Sequence, residues 1–212
     1  MIKAVVFDMD GVLIDAKDWH YEALNRALEL FGYTISRQDH LTIYDGLPTK
    51  TKLSMLTRQN GLPAGLHGLI NDLKQHFTAD FVTLRCQPVF QHQFALAQLK
   101  ALGYRVGLAS NSIRATIDLM MNRARLTGYL DAILSNEDVR DPKPAPDIYL
   151  AAAQRLGVTP YECLVVEDNE KGVTAATRAG AHVLQVETVD DVRIGTILDR
   201  VASINRSRTR AA

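Results

Sequence analysis

Two acidic residues follow the first apolar run of the chain. Asp8 and Asp10 come directly after AVVF, and Gly11 follows at once, within MIKAVVFDMDGVLID. A buried strand disfavours an unpaired carboxylate, so these acids either lie in a solvated Asp-Gly turn or take part in chemistry. Residues two apart on a strand point to the same side, so both carboxylates can address one reacting centre. A carboxylate can attack phosphorus, and a turn at Met9 and Gly11 can bring backbone amides close to an anion.

A second acidic pair ends a later apolar run. Glu167 and Asp168 close the stretch CLVVED, and a parallel sheet would bring this end beside Asp8. Taken alone, these acids also suit the first turn of a helix that begins near Glu170. Three or four carboxylates in one place call for a hard cation, and a ligand set made only of oxygen atoms predicts Mg²⁺.

Two more strand ends carry groups suited to phosphate. Ser110 and Asn111 lie in LASNS, at a strand-to-helix turn where a hydroxyl and a backbone amide can bind an anion. Lys143 in DPKPAPDIY offers a positive charge on a backbone restricted by a proline on each side. Taken singly, Ser110 is an ordinary helix cap and Lys143 a solvated loop lysine. Together with the acids they predict a phosphate site.

The four strand ends would combine into one catalytic site. Uncatalysed phosphate monoester hydrolysis is so slow that a catalyst must lower its barrier by up to about 20 kcal/mol or more. General acid-base catalysis alone contributes about 10²- to 10⁴-fold. We therefore predict that Asp8 attacks phosphorus while Asp10 protonates the leaving oxygen and later activates water.

The elements that must position these residues alternate along the chain. Apolar runs of strand length alternate with helix-like stretches such as FQHQFALAQLKALG and APDIYLAAAQRLG. This alternation predicts a doubly wound, Rossmann-like α/β fold with a parallel sheet, whose ligand site lies at the carboxyl ends of the strands. Residues 16–83 contain three helical stretches separated by Gly and Pro, and they are too many for a loop. We expect a core of residues 1–15 and 84–212, with residues 16–83 as an inserted helical cap.

Composition excludes several classes of partner. The chain has 212 residues with 24 basic and 24 acidic side chains, which leaves no global field for nucleic acid or an anionic membrane. The two cysteines, Cys86 and Cys163, have no disulfide-like or zinc-like spacing. No apolar stretch reaches the length of a spanning helix. We expect a cytoplasmic protein that is a monomer or weak homodimer, with the final INRSRTRAA as a frayed tail.

The four strand-end stretches resemble, in order, the motifs of the haloacid dehalogenase-like superfamily of phosphotransferases. The nearer resemblance is to its subgroup with a small helical cap, which includes β-phosphoglucomutase-like and phosphoglycolate phosphatase-like members. The resemblance implies Asp8 as nucleophile, Asp10 as acid and base, and Ser110 and Lys143 as the other catalytic residues. It also implies a Mg²⁺ site formed by Asp8, the backbone carbonyl of Asp10, Glu167 and Asp168.

The cap is expected to choose the substrate. His20 in DAKDWHYEAL and Gly46 in YDGLPTKTKL resemble cap positions of β-phosphoglucomutase-like members. The mutases place basic residues on either side of that glycine, whereas here Asp45 precedes it, and Lys50 and Lys52 follow later. We predict that His20, Gly46 and Lys50 contact the substrate. The alternatives are a partly buried helix histidine and solvated surface lysines.

The predicted function is that of a Mg²⁺-dependent phosphatase acting on a small phosphorylated metabolite, such as a sugar phosphate, through an aspartyl-phosphate. Two alternatives stay open. One is a sugar phosphomutase, which would move phosphate to a second position of the same sugar. The other is a receiver-like switch that holds phosphate on an aspartate, although such a module needs neither Asp10 nor a helical cap.

Overall fold

The computed structural model describes residues 1–209, which form two compact units. One unit joins Met1–Asp15 to the segment that begins at Gln87, and the other is Ala16–Cys86. The first unit contains a five-stranded sheet in the order β3-β2-β1-β4-β5, in which all neighbouring strands are parallel. The strands are β1 (Ala4–Phe7), β2 (Arg105–Ala109), β3 (Ala132–Leu134), β4 (Cys163–Glu167) and β5 (His182–Gln185). The predicted α/β fold with a parallel sheet is confirmed.

Helices connect the strands of the first unit and make up the second. In the first unit they are α5 (Phe90–Ala101), α6 (Arg114–Arg123), α7 (Asp147–Arg155), α8 (Glu170–Arg178) and α9 (Ile194–Thr209). In the second unit they are α1 (Lys17–Glu29), α2 (Arg37–Asp39), α3 (Thr49–Asn60) and α4 (His67–Arg85). Among the described residues, no helix combines the length and apolar composition needed to cross a membrane.

The register of the sheet aligns the ends of its central strands. Phe7, the last residue of β1, pairs with Leu108 of β2 and with Val166 of β4. All four residues of β1 are buried, as a central strand with both faces covered requires. Polar residues begin within one or two positions of these pairs. The alignment therefore brings the chemistry-bearing residues of three strands to one edge of the sheet.

The second unit has a hydrophobic core of its own. Leu24 and Leu28 of α1 pack with Leu53 of α3 and Ile70 of α4. Helix α4 continues to Arg85, beyond the expected limit at residue 83. The short helix α2 runs into a π-helical turn at His40–Tyr44, a segment that lacks the apolar periodicity from which helices are predicted.

The prediction of a frayed tail from residue 204 is wrong for the described part. Helix α9 continues to Thr209, while residues 210–212 lie outside the described residues. Ile197, Val201 and Ile204 are buried along one face of this helix. Their spacing of four and three residues is that of an amphipathic helix. The many polar residues around them made this pattern difficult to recognise in the sequence.

Candidate active site

Asp8 lies directly after the central strand β1. Its backbone amide donates to the Val166 carbonyl at 3.0 Å, which continues the pairing with β4 past the last strand residue. Its side chain is buried, and Oδ1 accepts a hydrogen bond from Lys143 Nζ at 2.6 Å. Burial raises the pKa of Asp8 well above its usual range, and Glu167 acts in the same direction, while the Lys143 charge opposes the shift. Asp8 is thus a buried acid in direct contact with the Lys143 ammonium.

Lys143 is a buried cation with three hydrogen-bond acceptors. Nζ donates to Asp8 Oδ1 at 2.6 Å, to Glu167 Oε1 at 2.6 Å and to the Ala109 carbonyl at 3.0 Å. Burial opposes its charge, but Asp8 and Glu167 outweigh that effect and raise the pKa of Lys143 well above its usual value. The alternative of a solvated loop lysine is wrong, because Lys143 is only 4% exposed.

Glu167 ends β4 and is also buried. Its Oε1 accepts from Lys143 and from the Tyr149 hydroxyl, the latter at 2.7 Å. Its Oε2 accepts from the backbone amides of Asp168 and Asn169 at 3.0 and 3.2 Å. Burial and the Glu167 charge raise the pKa of Tyr149 well above its usual value, so its hydroxyl keeps the proton that it donates.

Asp10 bonds a residue outside this buried array. Its Oδ2 accepts a hydrogen bond from the Ser112 hydroxyl at 3.1 Å, so a residue that follows β2 orients the predicted acid and base. Gly11 has φ +88°, a conformation that favours glycine, and its amide donates to the Ile14 carbonyl at 2.7 Å. The Met9 side chain is buried, and its carbonyl accepts from amides of the same turn. The phosphate contacts of Met9 and Gly11 stay predictions.

Ser110 and Asn111 organise the loop that follows β2. Ser110 is buried, its amide donates to the Leu134 carbonyl at 3.1 Å, and its hydroxyl oxygen accepts from the Ser112 amide at 3.1 Å. Asn111 Oδ1 accepts from the Lys143 backbone amide at 3.1 Å, and Asn111 Nδ2 donates to the Lys143 carbonyl at 3.4 Å. Asn111 therefore holds the Lys143 loop, and its predicted phosphate contact stays a prediction.

Three carboxylates could hold a metal ion. Asp8, Glu167 and Asp168 each offer an oxygen, and these atoms all lie within 4.8 Å of one another. The set is made only of oxygen, as Mg²⁺ prefers, and two of its three members are buried. The donors fit the predicted ion. The Asp10 side chain accepts from Ser112, and the predicted ligation of the ion by the Asp10 backbone carbonyl stays a prediction.

The predicted cap residues lie in the Ala16–Cys86 unit. His20 Nδ1 lies 3.3 Å from Lys74 Nζ, and Lys74 is buried. Gly46 has φ +69° and ends a turn, while Lys50 is exposed at the start of α3. Lys52 is buried, so the alternative of a solvated surface lysine is wrong for this residue.

Sequence reasoning missed three residues of this site. Tyr149 and Ser112 bond predicted site residues directly. Gly172 leaves space for the Glu167 carboxylate, since a Cβ atom there would lie 1.6 Å from Oε1. Tyr149 lies on the apolar face of α7 and Gly172 within α8, where they look like core and helix residues. Ser112 is the last residue of LASNS and Tyr149 the last residue of DPKPAPDIY, so both lie in the stretches that carry predicted site residues.

The family of the chain follows from its sequence as well as from this geometry. Residues 5–186 match the model of the haloacid dehalogenase-like hydrolases, and the chain belongs to that family. Within this family, the chain is a phosphatase.

Relatives and solved structures support the same conclusion. The chain is 30% identical over 182 residues to the phosphorylated carbohydrates phosphatase of Thermotoga maritima, covering 84% of this chain and 82% of that protein. It is 28% identical over 182 residues to the fructose-1-phosphate phosphatase YqaB of Escherichia coli, covering 86% and 95%. The crystal structure of CbbY from Rhodobacter sphaeroides in complex with phosphate matches with a TM-score of 0.77 and 26% identity, covering 86% of this chain and 85% of that one.

Proposed function

We propose that this protein is a Mg²⁺-dependent phosphatase that hydrolyses a small phosphorylated metabolite through an aspartyl-phosphate at Asp8. The observation that carries the proposal is the buried contact of Asp8 with Lys143, beside two further carboxylates. Without a cation, a phosphate dianion would be repelled by these acids. The positive charges of Lys143 and of a bound Mg²⁺ would attract the phosphate and offset this repulsion.

In the first step, an oxygen of the Asp8 carboxylate attacks phosphorus as the bond between phosphorus and the leaving oxygen breaks. The leaving oxygen takes a proton from Asp10, whose carboxyl is oriented by the Ser112 hydroxyl. Lys143 offsets negative charge on Asp8 and on the transferred group. The step yields the free alcohol and a phosphorylated Asp8.

In the second step, Asp10 takes a proton from water as the water oxygen attacks the same phosphorus. The bond between phosphorus and the Asp8 oxygen breaks, which releases inorganic phosphate and restores both carboxyls. Bound Mg²⁺ would be held by Asp8, Asp168 and the Asp10 carbonyl, while Glu167, whose two oxygens already accept four hydrogen bonds, would contribute its charge beside the ion. The ion would supply charge stabilisation of the phosphoryl oxygens.

A sugar phosphate is the proposed substrate class. Two similar proteins are named for carbohydrate substrates, the phosphorylated carbohydrates phosphatase and the fructose-1-phosphate phosphatase. The polar pair of His20 and Lys74 offers donors for hydroxyl or phosphate oxygens of such a molecule. Contacts of Gly46 and Lys50 with substrate, a cytoplasmic location and a monomeric or weakly dimeric state belong to the same proposal.

Hydrolysis of p-nitrophenyl phosphate and of a panel of sugar phosphates tests the proposal. We expect turnover that stops in EDTA and returns with Mg²⁺, and we expect none in Asp8→Asn with an unchanged circular dichroism spectrum. Turnover in chelator would remove the metal from the proposal, and an active Asp8→Asn would remove the nucleophile. Product analysis with a sugar bisphosphate activator distinguishes a phosphomutase, which would return an isomeric sugar phosphate instead of inorganic phosphate.

A further inference from the structure

We propose that Tyr149 is a positioning residue of the active site, which holds the Glu167 carboxylate and thereby keeps the Lys143 ammonium in contact with Asp8. The inference rests on the proposed function only in taking this ammonium as part of the phosphate site. Tyr149 lies on α7 and is 2% exposed. It contacts both partners of the ion pair, since its hydroxyl donates to Glu167 at 2.7 Å and its ring centroid lies 4.9 Å from Lys143 Nζ.

The network around the ion pair is fully satisfied. An ammonium has three donors, and Lys143 uses them on Asp8, Glu167 and the Ala109 carbonyl. A carboxylate has about four acceptor positions. Glu167 fills them with Lys143 and Tyr149 on Oε1 and with two backbone amides on Oε2. The Tyr149 hydroxyl is therefore the group that completes the set around Glu167.

Gly172 leaves room for the Glu167 carboxylate. A Cβ atom built on Gly172 would lie 1.6 Å from Glu167 Oε1 and 2.0 Å from Cδ. These distances are far inside van der Waals contact, so the carboxylate occupies the space that a side chain on α8 would take. Any larger residue at position 172 would displace Glu167 or move the helix.

Loss of the Tyr149 hydroxyl would move the Lys143 ammonium away from Asp8 and towards Glu167. In Tyr149→Phe the ring and its contact with Lys143 remain, while Glu167 Oε1 loses one of its two donors. Lys143 is the other donor to that oxygen and is shared with Asp8. An undersatisfied buried carboxylate attracts it more strongly. The ammonium then lies further from Asp8, where it would meet phosphate.

Binding of inorganic phosphate tests this role independently of turnover. Isothermal titration of the full chain with phosphate in saturating Mg²⁺ would be compared for wild type, Tyr149→Phe and the control Tyr161→Phe. Tyr161 is an exposed tyrosine whose ring is tilted by 41° against the ring of His182. We expect phosphate binding about tenfold weaker in Tyr149→Phe and within twofold of wild type in the control. Kinetics should show a raised KM with a smaller change in kcat.

The outcomes separate this inference from the proposed function. A folded Tyr149→Phe that binds phosphate within twofold of wild type overturns the positioning role. A wild-type protein that binds phosphate but hydrolyses no ester overturns the phosphatase proposal and leaves this comparison valid. Should Tyr149→Phe not fold, Tyr149→Met decides on the same criterion, because it removes the same hydroxyl from Glu167. A folded Tyr149→Met with wild-type phosphate affinity would then overturn the inference.

Discussion

Replacing Lys143 by methionine should cost stability in a pH-dependent manner. The variant keeps most of the side-chain volume but leaves Asp8 and Glu167 buried without their shared cation. Removing one partner of a buried ion pair typically costs about 3–5 kcal/mol. Proton uptake by one of the two carboxyls limits this loss. Protonating a group with an unfolded pKa near 4 costs about 4 kcal/mol at pH 7 and about 1.4 kcal/mol at pH 5.

The sign follows from the proton balance. Lys143 is the charge that lowers the pKa of Asp8 in wild type, so folded Lys143→Met holds a carboxyl proton that folded wild type binds only at a lower pH. Between these two pKa values the stability of the variant relative to wild type increases as the pH falls, by up to about 1.4 kcal/mol per unit. Urea denaturation in EDTA at several pH values measures this difference, and Mg²⁺ should recover part of the loss.

The control is Lys3→Met, which breaks a surface ion pair. Lys3 Nζ lies 2.6 Å from Glu162, and the Lys3 side chain is 61% exposed. Such pairs contribute about 0–1 kcal/mol. A stability loss in Lys143→Met that is independent of pH and of Mg²⁺ would refute the reasoning, because the loss would then come from packing and not from unpaired charge.

Three other perturbations test separate parts of the molecule. Asp10→Ala should accumulate phosphorylated Asp8 or stop the first step, and an unchanged turnover would remove its proton-transfer role. Burial and Lys52 lower the pKa of His40 to about 4, so the fold should lose up to about 3 kcal/mol as the pH falls from 6.5 to 4. His40→Phe should reduce that loss in acid denaturation, and an identical pH profile would contradict this. Ile204→Ala should lower stability by about 2–4 kcal/mol in urea, whereas a frayed tail would give no change.

The sheet edge could be predicted because its signals are local. Asp8, Ser110 and Glu167 can be recognised in the sequence because each is a polar residue at the end of an apolar run, where a buried strand ends. Parallel pairing then fixes which ends meet. Lys143 follows no strand directly, and it is indicated by the prolines beside it and by the resemblance to the family's motifs.

Side-chain partners could not be predicted in the same manner. The hydroxyl of Tyr149 reaches Glu167 from the helix that follows the Lys143 loop, and its apolar ring makes it look like a core residue. The cap presented the reverse difficulty, because Lys52 looks like a surface residue of α3 but is buried. Buried lysine and histidine side chains have no sequence signature, since the surrounding helices and not the neighbouring residues decide their exposure.

The satisfied network explains how so much charge is held at the end of β1. Two buried carboxylates and one ammonium have a net negative charge, and unpaired each acid would favour its neutral form. Glu167 accepts hydrogen bonds from four donors, of which only Lys143 is charged. Lys143 is therefore not needed by Glu167 alone, and it also donates a short hydrogen bond to Asp8. The neutral donors on Glu167, Tyr149 among them, are what leaves a cation available to the nucleophile.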